Sequence, residues 1–146
     1  MEQIFRCSCP ITSGIDIIGD KWTLVIIKQM LLQGKKTFKD FTNSDEAIAT
    51  NILSSRIKRL IKLKLISKLK LPTNNKTIYY HLTDKGISLT PIIIEIALWS
   101  GENLRGQNIN MVKNEEAGLL QSNKEEFINS LITDYKESLN KNIRKS

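Results

Sequence analysis

Asn51, Ser54 and Ser55 recur at helical spacing, and Lys58 and Lys62 continue the same side one and two turns further on. Short polar side chains of this kind donate to and accept from base edges, whereas lysines neutralise phosphates. Thr50 opens that polar face. The opposite side carries Ile48, Ile52, Leu53, Ile57, Leu60 and Ile61, a stripe that predicts a packed back. A helix over 49–64 built this way fits a major groove. Its first two turns hold few long charged side chains on the front, where an ordinary solvated face mixes Glu with Lys.

Charge supports the same chemistry. Residues 35–76 contain eleven Lys and Arg against three Asp and Glu, a net of +8, while the whole chain is +7. One basic patch on an otherwise neutral chain is the footprint of a phosphate-backbone binder. Lys36 stands at its start. Thr37 to Phe41 predicts a short helix before the longer one. Ile66 to Leu71 and Thr77 to Leu82 each alternate apolar and polar residues around a turn at Pro72–Asn75. The pair predicts a β-hairpin, a wing, bearing Lys68, Lys70 and Lys76.

Other chemistry finds little support. His81 is the only histidine and lies in a wing strand, where a solvent-facing position is expected; the chain therefore offers no two-histidine metal set and no paired catalytic triad. No glycine-rich phosphate loop follows a strand, and Asp84 and Glu95 are isolated carboxylates. No enzyme activity, cofactor or metal is expected. Cys7 and Cys9 leave two readings open. Cys9 is a small buried residue starting the first helix, or it is a sensing thiol. The helix N-terminus and the adjacent Arg6 both favour thiolate, which supports the second reading.

These residues need a scaffold. At 146 residues the chain allows one domain, or one with an appendage. It has no apolar run long enough to span a bilayer and no secretory signal at Met1 to Arg6, so a cytoplasmic location and no membrane partner are expected. A first helix is predicted from Cys9 to a C-cap at Gly19, and a second from Lys21 to Leu32, capped by Asp20 and ended by Gly34. Thr83 to Gly86 reads as a capping turn. The following helix, Ile87 to Leu104 with Pro91 in its first turn, is apolar almost all round at Ile92 to Trp99 and demands cover on two sides. One cover is its own core and the other is expected to be a second subunit. Helices are predicted again at 114–120 and from Lys124 to about Ile143, with Ser122 and Glu125 as a capping box. Phe127, Ile128, Leu131, Ile132, Tyr135 and Leu139 make one stripe there, a packing or dimerisation element rather than a DNA arm.

From Cys9 to Gly101 the chain resembles the HxlR-type winged helix-turn-helix regulators. Cys9-Pro10 resembles the family's opening Cys-Pro, and Gly19-Asp-Lys-Trp22 its Gly-x-Lys-Trp. Phe38 and Phe41 fit its short helix, and Ile52 to Leu60 its recognition helix. Tyr79 to Gly86 resembles Tyr-x-Leu-Thr-x-x-Gly, and Pro91 through Trp99-Ser-Gly101 the closing Pro…Trp-Gly. The resemblance implies a mainly α fold with a small β-hairpin wing, dimerising through terminal helices. It places a DNA-binding domain at 1–106 and a helical extension at 107–146. It also implies a homodimer on double-stranded DNA, at a pseudo-palindromic operator, and members that respond to oxidants through an N-terminal cysteine. No inducer is readable. Two departures stand out. Ala49 occupies a position where the family has a capping Ser, so Thr50 or Asp45 must cap or the turn is shifted, and the tail past Gly106 is longer than usual. The competing function is a winged-helix module that binds protein, RNA or polyanions nonspecifically. Asn51, Ser54 and Ser55 weigh against it, because such a module needs cations at those positions.

Overall fold

The computed structural model describes residues 4–71, 74–112 and 123–144. Its elements are α1 (Pro10–Ile18), α2 (Thr23–Gln33), α3 (Phe38–Thr42), α4 (Thr50–Lys62), β1 (Ile66–Leu71), β2 (Asn74–Leu82), α5 (Asp84–Ile87), α6 (Thr90–Asn103) and α7 (Lys124–Arg144). This is the mainly helical, single-hairpin class expected from the sequence. The helix expected at 114–120 and the capping residue Ser122 lie outside the described residues.

The core is built around α2. Ile26, Ile27 and Met30 are buried against Phe41 of α3, Leu53, Ile57 and Leu60 of α4, Leu65, Ile66 and Leu82 around the hairpin base, and Ile93 of α6. Each such side chain stabilises the fold by roughly 1.5–3 kcal/mol relative to exposure. The helix starts at Thr23, two residues later than Lys21, because Asp20 holds the chain in a turn. Its carboxylate accepts the amides of Trp22 and Thr23 at 3.1 and 3.0 Å, and the Thr23 hydroxyl as well. Gly34 ends α2 at φ 66°, a left-handed conformation that favours glycine.

Thr37 caps α3 in a capping box. Its hydroxyl accepts the Asp40 amide, and the Asp40 carboxylate accepts the Thr37 amide, each at 3.1 Å. The turn to α4 passes through Ala47 at φ 53°. Glu46 fixes this turn to α2 by accepting from Lys28 and from Gln29 Nε2. Neither Thr50 nor Asp45 caps α4; Ala49 occupies the N-cap with no side-chain hydrogen bond. The helix ends at Lys62, and Lys64 at φ 61° turns the chain into the wing.

β1 and β2 are antiparallel, with Ile66 opposite Leu82 and Lys68 opposite Tyr80, then a register shift between Leu69 and Leu71. Leu71 pairs with Asn74, so β2 begins before Thr77, and Asn74 and Asn75 belong to the strand rather than to a turn. Thr83 binds the hairpin base to the end of α4, its amide donating to Leu65 O at 3.1 Å and its hydroxyl to Lys64 O at 2.6 Å. A Cβ on Gly86 would strike the Leu65 carbonyl, which is why the Thr-Asp-Lys-Gly turn closes with glycine.

The capping turn expected at Thr83 to Gly86 is the short helix α5, and the helix expected to start at Ile87 starts at Thr90 as α6, with Pro91 in its first turn. Ile93 and Ile94 are buried, and α7 lays Phe127, Ile128, Leu131 and Ile132 over Ile94 and Leu98. Ile92, Ile96 and Trp99 stay exposed. Farther along α7, the Tyr135 hydroxyl accepts the Leu82 amide at 2.7 Å.

Candidate nucleic-acid interface

α4 presents its polar side as one surface. Thr50, Asn51, Ser55, Lys58 and Lys62 are exposed and Ser54 is half-buried. At about 100° per residue they span roughly 140° of the helix. Leu53, Ile57 and Leu60 are buried behind them. Ile52, expected on the packed side, is instead 36% exposed. It sits one helical step beyond Leu53, on the edge of the polar face, so the apolar stripe is narrower than its residue types suggested.

The flank of α4 carries two arginines whose role sequence reasoning missed. Arg56 Nε donates to Asp20 Oδ2 at 3.0 Å. Arg59 donates to Asp16 O at 3.0 Å and to Ile17 O at 2.9 Å, and lies 3.6 Å from Asp20 Oδ1. Carbonyls at a helix C-terminus lack intrahelical donors, so Arg59 satisfies the end of α1 while fixing α4 against it. Burial works to raise the Asp20 pKa. The Thr23 hydroxyl, the amides of Trp22 and Thr23, and Arg56 outweigh it and hold the carboxyl below its ordinary range. The polar face of α4 is thus anchored from behind by the core and along its flank by these arginines. The only sequence signal was two arginines three apart on a helix flank.

Lys68, Lys70 and Lys76 on the wing are exposed. Lys68 lies opposite the buried Tyr80 on the strand face that Ile66 and Leu82 begin at the hairpin base, and Lys70 and Lys76 lie farther out. Lys36 is exposed beside β2 rather than against α4. Its carbonyl accepts the Tyr80 amide at 2.7 Å, and its ammonium lies 5.7 Å from the Tyr79 ring centroid. The structure therefore groups six predicted residues on α4, three on the wing and Lys36 at the wing's side. His81 is only partly exposed, its Nδ1 3.3 Å from Leu82 O.

Cys7 and Cys9 are both free and exposed. The expectation of a buried Cys9 is corrected: the residue is the N-cap of α1, ahead of Pro10, and no part of α1 is fully buried. The amide and hydroxyl of Thr12 and the amide of Ile11 lower the Cys9 pKa, against a weak opposing effect of burial. Arg6 is engaged elsewhere, its Nε and amide donating to Asp16 at 2.7 and 3.1 Å. Hydrogen bonds at the helix start, not the neighbouring cation, lower this pKa. Among the described residues no three His, Cys, Asp or Glu side chains cluster as metal ligands, and no helix is long and apolar enough to cross a membrane.

Comparison with known proteins finds transcriptional regulators. The HTH-type transcriptional regulator YodB of Bacillus subtilis (strain 168) is 30% identical over 95 residues, 64% of this chain and 84% of YodB. YvaP of the same organism, an HTH-type transcriptional regulator, is 33% identical over 95 residues, 64% of this chain and 87% of YvaP. Reduced YodB superimposes with a TM-score of 0.57 at 28% identity, covering 68% of this chain and 98% of that one, and diamide-treated YodB with 0.53 at 28%, covering 67% and 97%. The redox regulator HypR in its reduced form gives a TM-score of 0.58 at 25% identity, covering 65% and 93%. The model of the HxlR-like helix-turn-helix family matches residues 17–108, which span α2, the α3–α4 motif, the wing and α6, and the chain belongs to that family of transcriptional regulators.

Proposed function

We propose that this chain binds a specific double-stranded DNA site as a homodimer, with α4 in the major groove and the wing on the adjacent backbone or minor groove. The observation that carries the reading is the front of α4. Short polar side chains and then lysines reach the surface of a helix whose back is locked in the core and whose flank is tied to α1 and α2. Thr50, Asn51, Ser54 and Ser55 read base edges; Lys58, Lys62, Lys68, Lys70, Lys76 and Lys36 hold phosphates.

The homodimer is supported by apolar side chains left open on α1 and α6: Ile11, Ile15, Ile92, Ile96 and Trp99. A twofold pair of α4 helices calls for a pseudo-palindromic operator with half-sites about one helical turn apart, or a multiple of it. The proposed signal is a thiol-reactive oxidant or electrophile. It is supported by the exposed, activated Cys9 and by the similarity to HypR and YodB. The protein works with the DNA, in the cytoplasm.

The test separates readers from holders. Replacing any one phosphate lysine with Ala should weaken specific and random DNA alike and lower the slope of log K against log salt by about one ion. Asn51→Ala or Ser54→Ala should change the preferred sequence in a binding selection. If every variant loses the same factor on specific and random DNA, the chain is a nonspecific polyanion binder and the division of roles is wrong.

A further inference from the structure

We propose that α7 is a brace for the wing and that Tyr135 is the positioning residue through which it acts. The family match ends at residue 108, well before α7 begins, so the relatives assign this helix no task. It is nonetheless docked firmly. Ile128 is 8% exposed against Ile94, and Ile132 and Tyr135 pack on the main core.

The Tyr135 hydroxyl oxygen accepts the Leu82 amide at 2.7 Å. Leu82 is the last residue of β2 and pairs with Ile66, the first of β1, so this bond falls at the hinge from which the hairpin projects. The Tyr80 amide, two residues back, points the same way and donates to Lys36 O at 2.7 Å. Besides the bonds of Thr83 at the hairpin base, two ties thus hold the outer edge of β2 against the rest of the fold, and α7 supplies the one nearer that base. Leu82 is 1% exposed, so removing the Tyr135 oxygen leaves its buried amide without that partner. Angular play at the base grows along the hairpin toward Lys68, Lys70 and Lys76. The consequence for DNA rests on the reading that these lysines hold phosphates.

The experiment uses the full chain as wild type, as Tyr135→Phe, and as a triple variant with Lys68, Lys70 and Lys76 each changed to Ala. Tyr135→Phe keeps the ring's packing and removes only the acceptor. Amide hydrogen exchange should then accelerate in β1 and β2 while α2 and α4 keep their wild-type rates. DNA binding should weaken by about threefold to tenfold, the worth of one hydrogen bond. The salt slope should fall toward that of the triple variant, with base preference unchanged, a signature that general destabilisation does not produce. Unchanged exchange in the hairpin overturns the brace. So does an unchanged salt slope in Tyr135→Phe when the triple variant lowers it. If the triple variant itself leaves the slope unmoved, the phosphate reading of the wing falls, and hairpin exchange alone decides whether α7 braces it.

Discussion

Cys9 combines exposure with a pKa held below the ordinary thiol value by the first turn of α1. The thiolate is the reactive form, so its alkylation rate should reach half-maximum at a lower pH than that of a free cysteine. Diamide should change operator affinity by about fivefold or more in wild type, and a Cys7→Ser, Cys9→Ser variant should bind normally and ignore the reagent. Wild-type binding that is unmoved while mass spectrometry shows both thiols modified would make the cysteines structural. Single residues were legible from sequence where their meaning is local. The polar front of α4 follows from helical period alone, and Cys9 from its place before Pro10. Arg56 and Arg59 were not legible, because Asp20, Asp16 and Ile17 lie 36 to 43 residues away along the chain. Nothing short of the packed fold brings those groups together.

Among the elements, α4 begins without a side-chain cap. Ala49 has φ −65° and ψ 142°, the extended geometry from which a serine hydroxyl reaches an amide of the first turn. Ala49→Ser should therefore stabilise the fold by about 1 kcal/mol, read as a rise in thermal midpoint. An unchanged or lower midpoint would show that another group already serves those amides. The hairpin and the short α3 were readable, since period and turn residues are strong local signals, whereas α5 was read as a turn. Boundaries were less so. α2 starts late because Asp20 collects its first amides, and β2 starts early because Leu71 pairs with Asn74. Both depend on which partner an amide finds, and residue type does not encode that.

For the whole molecule, the apolar girdle of α6 was legible but its apportionment was not. α7 takes the side carrying Ile94 and Leu98, and leaves Ile92, Ile96 and Trp99 exposed, as Ile11 and Ile15 are on α1. In the proposed dimer these residues form the centre of the contact. Ile96→Glu should weaken self-association by about 2 kcal/mol or more, with operator binding falling in step. Sedimentation that shows the variant assembling like wild type would place the subunit contact elsewhere. The tail could not be assigned to either surface from sequence, because an amphipathic stripe records that a helix is covered and not by what.

The ties on the outer edge of β2 also bear on misassembly. A two-stranded hairpin ordinarily offers a row of bare amides and carbonyls on which another chain can template itself. Here the Tyr80 amide is occupied by Lys36 O and the Leu82 amide by Tyr135. The half of the strand nearest the core is therefore closed to an incoming strand, while Lys76 farther out adds charge that discourages one. The extension proposed to steady the wing thus also helps close the inner half of one sheet edge to a second copy.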